Sequence, residues 1–364
     1  MRHLLLHAVA RAYLRKPDLA GFLDTRFPDL ASVWAAARNE LAFRLGSERL
    51  PRLTTLNVEL TSRCNAACTY CDVNRDLQRP NRDLDLALLV RLLERTPGLQ
   101  VLLPFQWGEP LLYAPLDEAL AVARSRRVRT FLTTNGLLLD AERFRRLSAA
   151  GLARLTVSLD GSPESHRERR GYAQETVLAR LAEARDVQRR ERLATRLDVS
   201  MVVDESVAHE LPAFRARLAP LCDRVQFIPR MRRAPRTAAC REPSRGIMVV
   251  LSDGTVTTCC ADVNGELALG HLATGPDPRE SLPAADGPAA AGPGIAGAAR
   301  RTGPARGNGV LPAAREAAGE LSPHALYAGD RWRALRRAHR RGPLPAPCST
   351  CGECDVPGVS RRFL

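Results

Sequence analysis

Residues 53–75 read LTTLNVELTSRCNAACTYCDVNR. The first eight positions, 53–60, are rich in β-branched and apolar side chains and predict a strand. Immediately afterwards Cys64, Cys68 and Cys71 crowd into eight residues. A short loop cannot pack three thiols as core side chains, so this loop is expected to bind something. A loop that directly follows a strand lies at the strand's C-terminal end, where parallel α/β folds keep their chemistry.

Further strand-like runs follow at 100–107 (QVLLPFQW), 128–135 (VRTFLTTN), 154–160 (RLTVSLD), 196–203 (RLDVSMVV) and 223–229 (DRVQFIP). Helical patterns rich in leucine and arginine separate them, as in LDEALAVARSR and DAERFRRLSAAG. Six strands alternating with helices imply an α/β fold with a parallel sheet, open or curled into a barrel. Residues 1–52 carry apolar positions at helical spacing and read as a helical extension, so the core spans 53–230. Beyond 230 the alternation stops. The segment GIMVVLSDGTVTTCCAD holds a DG turn between two β-rich runs and predicts a hairpin. Residues 276–320 are mostly alanine, glycine and proline, with five basic and five acidic side chains. Such a stretch buries too little apolar surface to order itself and reads as a mobile insertion. RWRALRRAHRRG then predicts a basic helix ahead of PAPCSTCGEC.

A structural zinc site takes four tetrahedral ligands. The spacing Cys-x3-Cys-x2-Cys, with no fourth cysteine or histidine nearby, suits a cubane of four irons better. Three thiolates hold three irons and the fourth stays open for a small chelating ligand. Other strand ends carry motifs of their own: Trp107-Gly108-Glu109-Pro110 after the second strand, Thr133-Thr134-Asn135-Gly136 after the third, and Ser158-Leu159-Asp160-Gly161 after the fourth. Together with the cysteines, this ordered set resembles the radical S-adenosylmethionine (SAM) superfamily. The resemblance covers about residues 54–230 and implies a partial (β/α)6 TIM-like barrel.

In that family the open iron takes the amino and carboxylate groups of SAM. One electron then cleaves the sulfonium to give a 5′-deoxyadenosyl radical. Carried onto this chain, the resemblance gives Gly108, Glu109 and Pro110 to the grip on the SAM ammonium, although Trp107 stands where the family has a glycine. Thr134 and Asn135 fall in the turn beside SAM, and Ser158 and Asp160 face its carboxylate or ribose. HRERRG, residues 166–171, offers Arg167, Arg169 and Arg170 as partners for the SAM carboxylate, with Arg170 preferred. Tyr70 matches an aromatic position near the adenine; a core-filling role is its plain alternative.

The remaining cysteines are Cys222, Cys240, Cys259, Cys260, Cys348, Cys351 and Cys354. Their order around the hairpin and the late Cys-x2-Cys resembles the SPASM or shorter twitch extension, which would make 231–364 a domain for a second, auxiliary 4Fe-4S cluster. The implied ligands are Cys240, Cys259, Cys348 and Cys351, with Cys260 an alternative to Cys259 and Cys354 to Cys240. A zinc knuckle is the plain reading of the C-terminal trio. Cys222, Cys260 and Cys354 are candidate hydrogen donors, should the reaction return a hydrogen atom to its substrate; Cys222 has the simpler reading of a buried apolar residue.

Composition narrows the classes. The net charge is +14, yet Lys16 is the only lysine and isoleucine occurs only at 228, 247 and 295. That usage looks like GC-rich coding, and the arginines are dispersed among few aromatics, so no nucleic-acid partner is expected. No apolar run reaches the roughly 18 residues that span a bilayer. Ten cysteines without a secretory signal point to metal or redox chemistry in a reducing, cytoplasmic setting. The expected function is hydrogen-atom abstraction from a biosynthetic substrate, ending in oxidation or epimerisation of a sugar, aminocyclitol or other glycosylated intermediate. A peptide-modifying maturase is the alternative, and an iron–sulfur or zinc protein that binds nucleic acid is the remote one. Flavodoxin or ferredoxin is the implied electron donor.

Overall fold

In the computed structural model, the described residues are 53–230, 247–259, 261–272 and 329–341, with isolated positions between 34 and 47. The core of the fold is a nine-stranded sheet. Its strands are β1 (Thr55–Val58), β2 (Val101–Leu103), β3 (Arg129–Thr134), β4 (Leu152–Ser158), β5 (Arg196–Val203), β6 (Arg224–Pro229), β7 (Ile247–Val250), β8 (Thr255–Thr257) and β9 (Gly270–His271). The order across the sheet is β6-β5-β4-β3-β2-β1-β7-β8-β9. The first six are parallel and lie in sequence order, each joined to the next through helical segments. The sheet is open: β7 pairs parallel with the outer edge of β1 and brings the antiparallel β8 and β9 with it.

The helices are α1 (Leu86–Glu94), α2 (Leu116–Ser125), α3 (Ala141–Ala150), α4 (Pro163–Arg170), α5 (Gln174–Arg190), α6 (Leu211–Leu218) and α7 (Asp330–Arg341). Their starts follow local chemistry. Asp85 caps α1 by accepting from Ala87 N at 2.8 Å, and Asp140 caps α3 by accepting from Arg143 N at 2.6 Å. In α4, Ser162 is the cap and Pro163 opens the first turn. Leu155, Val157, Leu197 and Val199 are fully buried on one face of the sheet and share a core with Leu89, Leu120, Phe144 and Leu181 of the helices.

Strand register makes the other face polar. Thr133 pairs with Thr156, and Ser158 with Ser200, which in turn pairs with Gln226. Side chains alternate along a strand, so these residues share one face from β3 to β6. The polar face therefore runs under the C-terminal loops, where the cysteines sit.

Predicted strands and observed strands coincide in place. β2 is shorter than predicted, because Pro104 has no N–H to donate and the chain turns into the loop holding Trp107. The predicted hairpin forms as β7 and β8, closed by Gly254 at φ +93°. Its parallel attachment to β1 joins segments nearly 200 residues apart. Most of the predicted N-terminal helices, the whole insertion at 276–320, and Cys240, Cys260, Cys348, Cys351 and Cys354 lie outside the described residues. No described helix is long and apolar enough to cross a membrane.

Candidate active site

The loop after β1 holds Cys64 exposed, Cys71 half-buried and Cys68 buried, all as free thiols. Burial raises the pKa of each, to about 11 for Cys71, and the neighbouring sulfurs push Cys64 and Cys71 the same way. Among the described residues, no three His, Cys, Asp or Glu side chains converge on a single ion position. Three thiols on one loop are one ligand short of a closed structural zinc centre, whereas a cubane takes each thiolate on a different iron. The donor set fits a cluster held from one side.

The loop after β2 is clamped onto this cysteine loop. Glu109 N donates to Arg63 O at 2.8 Å. A Cβ on Gly108 would stand 2.1 Å from Thr61 O and 2.7 Å from Arg63 O, so only glycine lets the two backbones approach this closely. The Glu109 carboxylate is buried and accepts three hydrogen bonds: from Leu111 N at 3.0 Å, Thr134 Oγ at 2.7 Å and Asn135 N at 2.7 Å. Burial raises its pKa, while those donors pull it down. Glu109 thereby locks the β3 loop to the β2 loop, and Pro110 opens the turn that supplies the Leu111 donor. Asn135 Nδ2 reaches on to Asn65 Oδ1 at 2.7 Å, next to Cys64.

At the end of β4, Asp160 is fully buried and surrounded by donors. Tyr70 OH donates to its Oδ2 at 2.7 Å and Val202 N to its Oδ1 at 3.1 Å. Arg170 Nε lies 3.0 Å and Arg169 Nε 3.5 Å from Oδ2. Asp160 N donates to Nδ1 of the buried His166 at 3.2 Å. The structure separates the three arginines of HRERRG: Arg167 is exposed, while Arg169 and Arg170 are buried. Arg169 also reaches Asp204 at 3.0 Å, which pairs with Arg230 at 3.2 Å. The guanidiniums of Arg169, Arg170 and Arg230 stand 5.0, 5.7 and 5.8 Å from the Tyr70 ring centroid. Tyr70 is thus tied to Asp160 and stacked among arginines. Burial holds its phenol far above the usual range, so it stays a hydrogen-bond donor.

Several members of this constellation carry no linear motif. Gln174 is fully buried at the start of α5 and donates to Asp160 O at 2.6 Å and Gly161 O at 3.1 Å. Asn65, Tyr172, Asp204 and Arg230 act across elements; a polar residue just beyond a predicted strand is the one signal that could have flagged Asp204 and Arg230. Cys222 stands at the opposite end. It precedes β6, lies in the apolar core, and donates its thiol proton to Leu218 O at 3.2 Å. Burial pushes its pKa up to about 11. That position, away from the C-terminal loops, does not suit a hydrogen donor to a substrate.

Among the described residues the C-terminal ends of β1–β4 thus gather three thiols, a carboxylate saturated by three donors, and a carboxylate saturated by arginines and a phenol. The set can hold and orient a ligand and offers no spare acid–base pair. Residues 58–211 match the family profile of the Radical SAM superfamily. The chain carries a radical SAM domain.

Radical SAM domains use a four-iron cluster and S-adenosylmethionine, which the three-thiol loop accommodates. Among curated relatives, the GTP 3′,8-cyclase of Synechococcus sp. (strain CC9902) is 44% identical over 115 residues, covering 30% of this chain and 33% of that protein. The PqqA peptide cyclase of Gluconobacter oxydans (strain 621H) is 35% identical over 132 residues, covering 36% and 37%. This chain therefore spans about a third of the length of these relatives. Among solved structures, BtrN in complex with AdoMet and 2-DOIA aligns with a TM-score of 0.48 at 16% identity, over 80% of this chain and 89% of that one. SuiB of Streptococcus suis bound to S-adenosylmethionine aligns with a TM-score of 0.47 at 14% identity, over 70% and 73%.

Proposed function

We propose that this radical SAM enzyme abstracts a hydrogen atom from a biosynthetic substrate and dehydrogenates or epimerises a sugar, aminocyclitol or other glycosylated intermediate. The observation that carries the SAM-cleaving half is the seam between the cysteine loop and its neighbours: Gly108 pressed on the Thr61 and Arg63 carbonyls, and Asn135 bound to Asn65. A bound cluster supplies the single electron that breaks the SAM sulfonium bond. Cys64, Cys68 and Cys71 would hold it through three irons. Gly108, Glu109, Pro110, Thr134 and Asn135 fix the loops that face SAM, while Ser158, Asp160, Arg170 and Tyr70 form the polar floor beneath it.

A second cluster on Cys240, Cys259, Cys348 and Cys351 belongs to the same proposal. Support comes from α7, whose Leu335 packs with Leu267 against Cys259. The helix ends at Arg341, seven residues before Cys348, a span of at most roughly 25 Å when extended. That is ample to bring the late cysteines back to Cys259. A flavodoxin or ferredoxin would supply electrons in a cytoplasmic setting. The helical pattern of residues 1–52, in place of the strands of a peptide-recognition domain, favours a small metabolite as substrate. The likeness to a peptide cyclase over about a third of the chain keeps a peptide-modifying reaction as the second reading.

Anaerobic reconstitution should load about eight irons per chain, two cubanes. Changing Cys64, Cys68 and Cys71 together to alanine should remove about half of the iron and abolish 5′-deoxyadenosine formation. A wild-type chain that takes up zinc, or only one cluster, overturns the assignment. Turnover in deuterium oxide separates the outcomes: an epimerised carbon acquires one solvent deuterium through a thiol donor, and an oxidised carbon acquires none.

A further inference from the structure

Side chains from outside β4 and its loop hold the turn that carries Asp160. Gln174 Nε2, at the start of α5, donates to Asp160 O at 2.6 Å and to Gly161 O at 3.1 Å. Arg217 Nη2, on α6, donates to Gly161 O at 2.6 Å. Ser162 N donates to Glu210 Oε2, and Ser165 Oγ donates to Glu210 Oε1 at 2.5 Å. Glu210 closes a short 3-10 turn, Ala208–Glu210, between β5 and α6. Ser162 is the cap of α4, and its own hydroxyl accepts from Ser165 N at 3.2 Å. The Glu210 carboxylate therefore ties the cap to the first turn of α4, at the helix end where negative charge is favoured.

A Cβ at Gly161 would stand 1.9 Å from Glu210 Oε2, and φ at that residue is +31°. The approach of the carboxylate and the backbone angle both call for glycine. The last residue of the Ser158–Gly161 motif thus leaves room for Glu210, which no linear motif marks. From there α4 carries the effect onward. Its last turn supplies Arg169 and Arg170, whose Nε atoms stand 3.5 and 3.0 Å from Asp160 Oδ2. Arg169 O accepts from Thr69 N at 2.9 Å, inside the cysteine loop. Eight helical residues span roughly 12 Å. A helix pinned by Glu210 at one end therefore meets Asp160 and the cysteine loop with the other.

We propose that Glu210 is a positioning residue of the SAM site. It sets where α4 begins, and so where Arg169, Arg170 and Asp160 stand, and it acts through them and not on SAM. The proposal rests on the reading of Asp160 and Arg170 as part of the floor beneath SAM. It adds a residue of the β5–α6 connection to a site otherwise built from the loops after β1–β4. Loss of the carboxylate leaves Ser162 N without its acceptor and frees the first turn of α4, while the sheet and the cysteine loop keep their own bonds.

Equilibrium dialysis of the cluster-loaded full chain with radiolabelled SAM tests it, reading both Kd and the number of sites. Glu210→Ala should raise Kd about tenfold with the number of sites unchanged. Glu210→Gln, which keeps one acceptor oxygen, should raise it about threefold. In Gly161→Ala the new methyl displaces the carboxylate, so adding Glu210→Ala to it should weaken binding no further. Fewer sites at an unchanged Kd in Glu210→Ala would mark a role in folding alone and overturn the proposal. Additive weakening in the double variant overturns it as well. Should Glu210→Ala not fold, a wild-type Kd in Glu210→Gln does the same. Asp160→Asn separates this proposal from the reading beneath it. If Asp160→Asn weakens SAM binding and Glu210→Ala does not, the positioning role falls and Asp160 keeps its place. If neither weakens binding, both fall together.

Discussion

The two ends of one polar face differ in how densely buried charge is partnered, and neither end is complete: Arg170 Nε and His166 Nε2 at one end, and Arg154 Nε and Nη2 at the other, have no hydrogen-bond partner. At the C-terminal end, Asp160 gathers Tyr70, Arg169 and Arg170, Asp204 gathers Arg169 and Arg230, and Glu109 satisfies three donors. At the N-terminal end, Arg154 stands 3.5 Å from Asp198 and keeps two nitrogens without a hydrogen-bond acceptor. The same strands build both ends, so the contrast does not come from the scaffold. A densely partnered network of this kind fixes the position of its own side chains before any ligand arrives.

The sharpest break of that contrast is Asp160→Ala. It leaves the buried Arg170 guanidinium without its carboxylate, while Arg169 keeps Asp204, and should cost about 3–5 kcal/mol in denaturant unfolding. A loss below about 1 kcal/mol would mean that the C-terminal network is no more closed than the other end.

The next effect is pH-dependent and also lies at the closed end. Burial, with Arg170 adding to it, depresses the pKa of His166 to about 4 from the ordinary 6.5. The unfolded chain therefore takes up this proton at higher pH than the folded one. The stability due to neutral His166 is complete above pH 6.5 and is lost as pH falls toward 4, by roughly 3 kcal/mol across that window. His166→Gln, which retains an acceptor for Asp160 N, should flatten the pH dependence between 6.5 and 4. An unchanged slope in that variant would assign the titration elsewhere.

The smallest effect sharpens the contrast from the open end. Arg154→Met should change stability by no more than about 1 kcal/mol, or raise it, because an apolar chain of similar length replaces a poorly paired buried charge. A loss of about 3 kcal/mol would show that Arg154 is well paired with Asp198.

The closed end was largely legible in the sequence, and the open end was not. Cys64, Gly108, Asn135 and Asp160 each sit in a short contiguous motif just past a strand, so linear spacing reveals them. The arginine cluster at the N-terminal end comes from Arg129, Arg154, Arg196 and Arg224, one per strand, and only register brings them into line. Gln174 escaped for a related reason: it reaches Asp160 from the first turn of a helix that no motif marks. The six parallel strands followed from local pattern. The pairing of β7 with β1 did not, because nothing within either segment encodes a partner so distant in the chain.

That pairing has a consequence for how such a chain can change. Glu59 N donates to Val250 O at 2.8 Å, and Ser252 N donates to Glu59 Oε1 at 3.0 Å. Arg79 ties Glu59 to Val263 O at 2.6 Å and Ser252 Oγ at 3.2 Å. The loop bearing Cys64 and the hairpin bearing Cys259 are thus riveted to adjoining strands of one sheet. Chain inserted between Leu272 and Gly329 enters and leaves beyond those rivets. Each doubling of such an insertion adds only about 0.6 kcal/mol of closure entropy. A lineage can therefore experiment with length and composition there, retuning whatever that stretch touches, while the spacing between the two thiol-bearing segments stays as the sheet has set it.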